Sequence, residues 1–359
     1  MKRHLNLAAG LIMLLAAALA ITSSSKRKTT IFMVGDSTMA NKDISKGSPE
    51  RGWGMVLQGC FSEDIIVDNH ALNGRSSISF IREGHWQRVL DLIKPGDYVF
   101  IQFGHNDEKA DKPGSIRHTD PGSTFDSTLE RYINETRERG GIPVMFNCVE
   151  RRLFFDQRKA DAMAQQTAAA DSSKKEDMKN ADDETLRDVA YSDEEVNSLY
   201  LVPTHFTLDG DYTAAPRLVA KRNNVPFVDA TAISHRMEQD HGIAGSRKLH
   251  LWLKPGEVAS IPDGRRDNTH YSIYGAHVIS NLLADAIGEA VPALKKHVRH
   301  YDYVVSDKGR GNFMTLQEAV DAVPENTKAS ILLLDGTFKK PQTTKRIRIE
   351  TRQTAKLLK

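Results

Sequence analysis

Four short polar clusters stand out along this chain: Gly35-Asp36-Ser37-Thr38, Asn73-Gly74-Arg75-Ser76, Gly104-His105-Asn106-Asp107 and Asp267-Asn268-Thr269-His270. Together they hold a hydroxyl, an imidazole, carboxylates and spare N–H donors, a set able to hydrolyse esters. An alcohol is a poor nucleophile at neutral pH. A histidine within hydrogen-bond reach remedies this by taking its proton. A carboxylate then fixes the imidazole tautomer and stabilises the imidazolium. Ser37 is the candidate nucleophile, His270 the candidate base and Asp267 its partner. Their three-residue spacing lets one tight turn present Asp267 and His270 to the same cavity. The Gly74 N–H and the Asn106 side-chain amide are candidate donors to a developing oxyanion. Losing one such donor typically costs about 3 to 4 kcal/mol of transition-state stabilisation.

Each cluster alone has a plainer reading. Gly-Asp-Ser is a common turn, and Gly-His-Asn-Asp or Asp-x-x-His can cap a helix. Their joint occurrence, in order and beside strand ends, carries the esterase reading. The chain order serine, aspartate, histidine, without G-x-S-x-G, departs from the trypsin, subtilisin and α/β-hydrolase layouts.

These residues need a frame. Residues 30–34, 65–68, 98–103, 143–149 and 226–228 read as strands. Residues 53–61, 85–93, 125–139, 212–223 and 274–290 read as helices. The alternation predicts a doubly wound α/β/α sandwich around a parallel sheet of about five strands. The uninterrupted apolar run 98–103 fits a strand buried on both faces. Functional clusters at strand C-termini agree with where such sheets place their sites. Gly35 is expected to allow a tight turn before Ser37.

The 359 residues are 40% apolar and 27% charged, with a formal net charge of +2. That near-neutral balance gives no basic field for nucleic acid. The 13 histidines show no zinc spacing and no HExxH, so neither metal nor cofactor is expected. Lys2 and Arg3 precede an apolar run over residues 5–19, followed by Ala18-Leu19-Ala20. This predicts a cleaved signal peptide over residues 1–20 and export, to the periplasm or beyond the cell. The run is shorter than the roughly 20 residues that span a bilayer, so no membrane anchor is expected after cleavage. Cys60 and Cys148, at the end of a helix and of a strand, are expected to stay unpaired thiols. Residues 156–195, rich in Ala, Asp, Glu, Lys and Gln, read as a solvated insertion.

At the quoted clusters the chain resembles the SGNH (GDSL-like) hydrolases. It most resembles the rhamnogalacturonan acetylesterases, in residues 32–40, 73–77, 100–107 and 267–271 followed by Gly275-Ala276. The resemblance covers about 29–292, interrupted by the 156–195 insertion, within an expected esterase domain over 29–298, and implies a flavodoxin-like fold. It implies Ser37, Asp267 and His270 as the triad, and the Ser37 N–H, the Gly74 N–H and Asn106 as the oxyanion hole. Arg75 and His105 are taken as substrate contacts, with His105 not the base because Asn106 fills the donor role. Two features depart from the family pattern. One is the 156–195 insertion. The other is Asn147-Cys148-Val149-Glu150-Arg151-Arg152, where Thr-Pro is more usual.

Residues 304–320 and 331–338 resemble the opening of a pectin methylesterase, a parallel β-helix enzyme, without its later catalytic segments. The tail over 303–359 is therefore expected to be a truncated, inactive, incomplete β-helix. It should be poorly ordered or loosely docked, since one coil cannot bury its own apolar face. The leading expectation is an exported serine esterase acting on acetylated pectic polysaccharide. The alternatives are a general SGNH esterase or lipase, and an inactive carbohydrate-binding protein.

Overall fold

Strand β1 (Thr29–Gly35) sends Ile31 and Met33 into one core and Phe32 and Val34 into another. A strand apolar at every position has to be covered on both faces, and the rest of the fold supplies that cover. The computed structural model describes residues 27–109, 116–155, 200–201 and 203–358. The expected signal peptide and the 156–195 insertion lie outside the described residues.

After β1 come β2 (Glu50–Arg51), α1 (Trp53–Val56), β3 (Ile65–Asn69), α2 (Ser77–Arg82) and α3 (His85–Leu90). Then follow β4 (Tyr98–Gln102), α4 (Thr124–Glu138) and β5 (Ile142–Phe146). Two short antiparallel pairs come next, β6 (Phe154–Phe155) with β7 (Tyr200–Leu201) and β8 (Phe206–Thr207) with β9 (Gly210–Asp211). The domain closes with α5 (Ala214–Arg222), β10 (Phe227–Val228), α6 (Ala230–Ser246), β11 (His250–Leu253), β12 (Arg265–Ser272), α7 (Ile273–Ala290) and α8 (Pro292–Lys295).

The main sheet runs β10-β5-β4-β1-β3, with every pair parallel. One face is covered by α7, whose Ile279, Leu283 and Ile287 recur every four residues, and by Met237 of α6. The other is covered by α4, through Phe125, Leu129 and Ile133, with α2, α3 and α5 beside it. This is the expected sandwich. Strand order reverses at β1, between β3 and β4, which opens a crevice at their C-terminal ends.

Local differences from expectation have physical causes. The helix over 53–61 divides into α1 and a 3-10 turn at Leu57–Cys60. Helix α6 and the antiparallel side sheet β11-β12-β2 were not foreseen. Gly35 is required by packing rather than by a turn: a Cβ there would lie 2.7 Å from the Gln102 carbonyl oxygen on β4. Cys60 and Cys148 are buried free thiols, and burial pushes the Cys60 thiol up to about 12.

The tail departs most. It forms β13 (Tyr303–Ser306), α9 (Leu316–Ala322), β14 (Lys328–Phe338), β15 (Arg346–Thr351) and β16 (Ala355–Leu357). Strand β14 pairs in parallel with the other three strands. Val305, Ile331 and Leu333 pack on Leu316, Ala319 and Val320 of α9. A capping box between Thr315 and Glu318 starts that helix. On the opposite face, Val304, Leu332 and Leu334 turn away from α9. Val304 meets Gly59, where an added Cβ would lie 3.1 Å from it. Arg51 donates to the Gly309 carbonyl at 2.8 Å, and Arg352 to the Phe61 carbonyl at 2.8 Å. The expectation of a poorly ordered or loosely docked tail is thus corrected. Its own helix covers one face, and the sandwich helps to bury the other.

Candidate active site

Ser37 leaves the end of β1 in a turn held from within. Asp36 accepts from the Thr38 N–H at 2.9 Å and the Thr38 hydroxyl at 2.7 Å. Beneath it, Gln102 donates to Thr38 and accepts from the Trp53 indole, both at 2.8 Å. This buried relay locks the turn to β4 and α1. Burial pushes the Asp36 carboxyl above its usual range, against the opposing Thr38 hydrogen bonds and the nearby His270 charge.

Asp267 and His270 come from β12. The register jumps here: His250 faces Tyr271, but Leu251 faces Asp267. Residues 268–270 are therefore bulged out of the ladder. Asp267 Oδ1 accepts the N–H groups of Thr269 and His270 at 2.8 and 2.9 Å, which shapes the bulge into a turn. Asp267 Oδ2 lies 2.8 Å from His270 Nδ1, and His270 Nε2 lies 2.8 Å from Ser37 Oγ. Burial raises the Asp267 carboxyl. The His270 hydrogen bond and charge, together with the two backbone N–H groups, outweigh it and hold the group well below the carboxylate range.

The expected oxyanion donors converge from β3 and β4. Gly74 sits at φ +74°, with open space where a Cβ would point. Among the described residues no acceptor takes the N–H of Ser37 or of Gly74. Asn106 gives one amide hydrogen to the Arg75 carbonyl at 3.1 Å, which leaves its second for a ligand. Asp107 ties the two loops together. It accepts from the Ser77 N–H at 3.0 Å, the Gly104 N–H at 3.1 Å and the Thr119 hydroxyl at 2.8 Å. Burial pushes its carboxyl up to about 7, against the Ser77 and Thr119 hydrogen bonds.

The two expected substrate contacts part company. The Arg75 side chain is half-exposed, with Nε 2.9 Å from Glu83. His105 is only 2% exposed, its ring edge-on to His205 at 4.4 Å. Its place as a substrate contact is corrected: a ring sealed beneath the crevice supports the floor rather than touching a polymer. Burial holds its pKa well below the usual histidine value, with His205 and Arg151 adding to the effect. His105, Glu108 and His205 bring ligand atoms within 4.8 Å of one another. Glu108 is already paired with both Arg151 and His205, so the cluster's negative charge is spent internally.

Residues that the sequence reading passed over hold the base loop. Arg152 is buried and donates its backbone N–H to the Asn268 carbonyl at 2.9 Å. Its guanidinium reaches Asn268 Oδ1 at 3.2 Å and Ser246 at 2.7 Å. This explains part of the unusual 147–152 stretch: Arg152 braces the turn that carries His270. His250 Nε2 lies 2.6 Å from Glu238 Oε1, and Nδ1 lies 3.1 Å from the His270 carbonyl.

A profile of the GDSL-like Lipase/Acylhydrolase family matches residues 33–254. The chain belongs to that family. Rhamnogalacturonan acetylesterase RhgT of Bacillus subtilis (strain 168) is 32% identical over 273 residues, covering 76% of this chain and 95% of that protein. The probable rhamnogalacturonan acetylesterase YesY of the same organism is 33% identical over 259 residues, covering 72% and 92%. A solved structure of the Bacillus subtilis protein YxiM shares the fold, with a TM-score of 0.50 and 19% identity, over 74% of this chain and 58% of that one.

Proposed function

We propose that this protein is an exported serine esterase that removes O-acetyl groups from rhamnogalacturonan-type pectic polysaccharide through an acyl-serine intermediate. The observation that carries the reading is the hydrogen-bonded series Ser37 Oγ, His270 Nε2, His270 Nδ1, Asp267 Oδ2, with 2.8 Å at each contact between residues. The relatives named rhamnogalacturonan acetylesterase support the substrate class. The basic, then apolar, start of the chain supports export.

The chemistry runs as follows. Ser37 Oγ attacks the acetyl carbonyl carbon while its proton passes to His270 Nε2. Negative charge on the carbonyl oxygen is met by the N–H groups of Ser37 and Gly74 and the free amide hydrogen of Asn106. Collapse breaks the bond to the sugar oxygen, which leaves with the proton from His270. Water, deprotonated by His270, then attacks the acyl-serine, and acetate departs as Ser37 recovers its proton. Asp267 stays ionised throughout and holds Nδ1–H toward itself.

The test is acetate release from acetylated rhamnogalacturonan and acetylated xylan by the wild type and Ser37→Ala. Release from rhamnogalacturonan well above xylan, absent in Ser37→Ala, is expected. Equal rates on both polymers would remove the pectic assignment, and an active Ser37→Ala would remove the mechanism.

A further inference from the structure

We propose that Lys42, Glu50 and Arg265 are positioning residues that bind the nucleophile half of the site to the base half and set the pH range over which the base works. This rests on the reading of Ser37, His270 and Asp267 as a triad.

Lys42 Nζ has three acceptors: the Ser37 carbonyl, Asn73 Oδ1 and Glu50 Oε1, each at 2.7 Å. An ammonium carries three N–H bonds, so its donor capacity is filled. Its side chain is only 5% exposed. Lys42 is therefore committed to the frame and has nothing left for a substrate. It clamps the nucleophile turn to the residue that precedes Gly74.

Glu50 carries the connection onward. Its second oxygen meets Arg265 at 2.9 Å, and Arg265 meets Asp267 Oδ2 at 2.6 Å. That oxygen also faces His270 Nδ1. The side sheet fixes the geometry, because β2 pairs with β12 through Ser272 opposite Glu50 and Tyr271 opposite Arg51. Charge alternates along the path, plus, minus, plus, minus, from Lys42 to Asp267. Burial pushes the Lys42 ammonium down, with Glu50 opposing, as expected for a partly desolvated pair.

The arrangement has an electrostatic consequence. Arg265 shares the carboxylate oxygen that must stabilise the imidazolium, so it weakens that stabilisation. Glu50 acts in the opposite sense through its negative charge. Among the described residues, His270 also acts electrostatically on Asp36 after β1, His105 after β4 and Asp267 on β12. The variants below leave all of them in place.

The experiment is kcat/KM on nitrophenyl acetate from about pH 5 to about pH 8, the span in which a histidine base titrates. Arg265→Gln should move the acid limb to higher pH by roughly half a unit, the scale for one unit charge near a partly solvated group. Glu50→Gln should move it to lower pH by a similar amount. The double variant should return it close to the wild-type position, and Arg265→Lys should keep it there. Lys42→Met should lower kcat about tenfold with little change in KM, since it loosens groups that act on the transition state. Limbs that stay put, or that move in the same direction in both single variants, overturn the proposal. If one single variant fails to fold, the remaining one and the double variant decide by the same signs. Ser37→Ala serves as the control. Activity there sinks the triad itself, whereas a dead Ser37→Ala with unmoved limbs sinks only the positioning role.

Discussion

Strands β1 and β14 are the same kind of object: apolar, parallel-paired, with successive residues sent to opposite faces. Around β1, helices from the same domain cover both faces. Around β14, the tail's own helix α9 covers only the face of Val305, Ile331 and Leu333. The face of Val304, Leu332 and Leu334 lies away from it, with Val304 against Gly59 of the sandwich. Whether a sheet stands alone is therefore decided by how many layers it can recruit, not by the strength of its strands. The described tail residues supply one helix and so one covering layer, and the sandwich contributes to the other.

Four experiments break or sharpen this contrast. The largest effect should come from Ser37→Ala, which lowers hydrolysis by on the order of a thousandfold or more while both regions stay folded. A melting temperature that falls with activity would mean that Ser37 also holds the fold. Next is deletion of residues 303–359. Removing the cover from Gly59 and the acceptor from Arg51 should lower the melting temperature by at least about 4 °C, a loss of about 1 kcal/mol or more in a domain of this size. An unchanged melting temperature would show two independent units.

Third, Gly309 has φ +71°, and a Cβ there would lie 2.7 Å from Ile44 Cδ1. Gly47 has φ +73° with nothing within 4 Å. Both Gly→Ala variants carry the backbone penalty of about 1 kcal/mol. Only Gly309→Ala disturbs the docking contact, so urea unfolding should place it lower than Gly47→Ala by about another 1 kcal/mol.

The smallest effect concerns acid. His277 on α7 is buried, and burial pushes its pKa down to about 4, partly offset by the hydrogen bond it donates to the Gly311 backbone of the tail. Its unfolded value is about 6.5. The unfolded chain thus takes up the proton first, and stability from this group is lost as pH falls from about 6.5 to about 4. Asp107, raised to about 7, acts in the opposite direction over that range. His277→Gln should therefore lose less melting temperature between neutral and acid pH than the wild type. Equal losses would remove His277 as a contributor.

The residues proposed as triad and oxyanion donors were legible as candidates because each is a distinctive residue type at the end of a periodic apolar run. Ser37, Gly74, Asn106, Asp267 and His270 all adjoin elements whose pattern was clear. The frame around them was not. Lys42, Glu50 and Arg265 are residue types that cover every protein surface, and Glu50 meets Arg265 across 215 positions. No local pattern encodes such a meeting. Asp107 was visible only as part of a motif, while its donors Ser77 and Thr119 lie 30 and 12 positions away. The bulge at 268–270 depends on which strand lies alongside, so spacing alone suggested only a turn. The tail was misjudged because its apolar face was weighed without the surface it lies on.

The contacts that dock the tail join segments far apart along the chain. Arg51 waits for Gly309, 258 residues later, and the Phe61 carbonyl waits for Arg352, 291 residues later. At ribosomal speeds of about 5–20 residues per second, that separation is roughly ten seconds to a minute. Strand β2, with Glu50 beside Arg51, emerges early but meets its last partner only when the tail has been made. A growing or interrupted chain can thus carry Ser37, Asp267 and His270 and still lack the support beside Glu50 until Gly309 has been made.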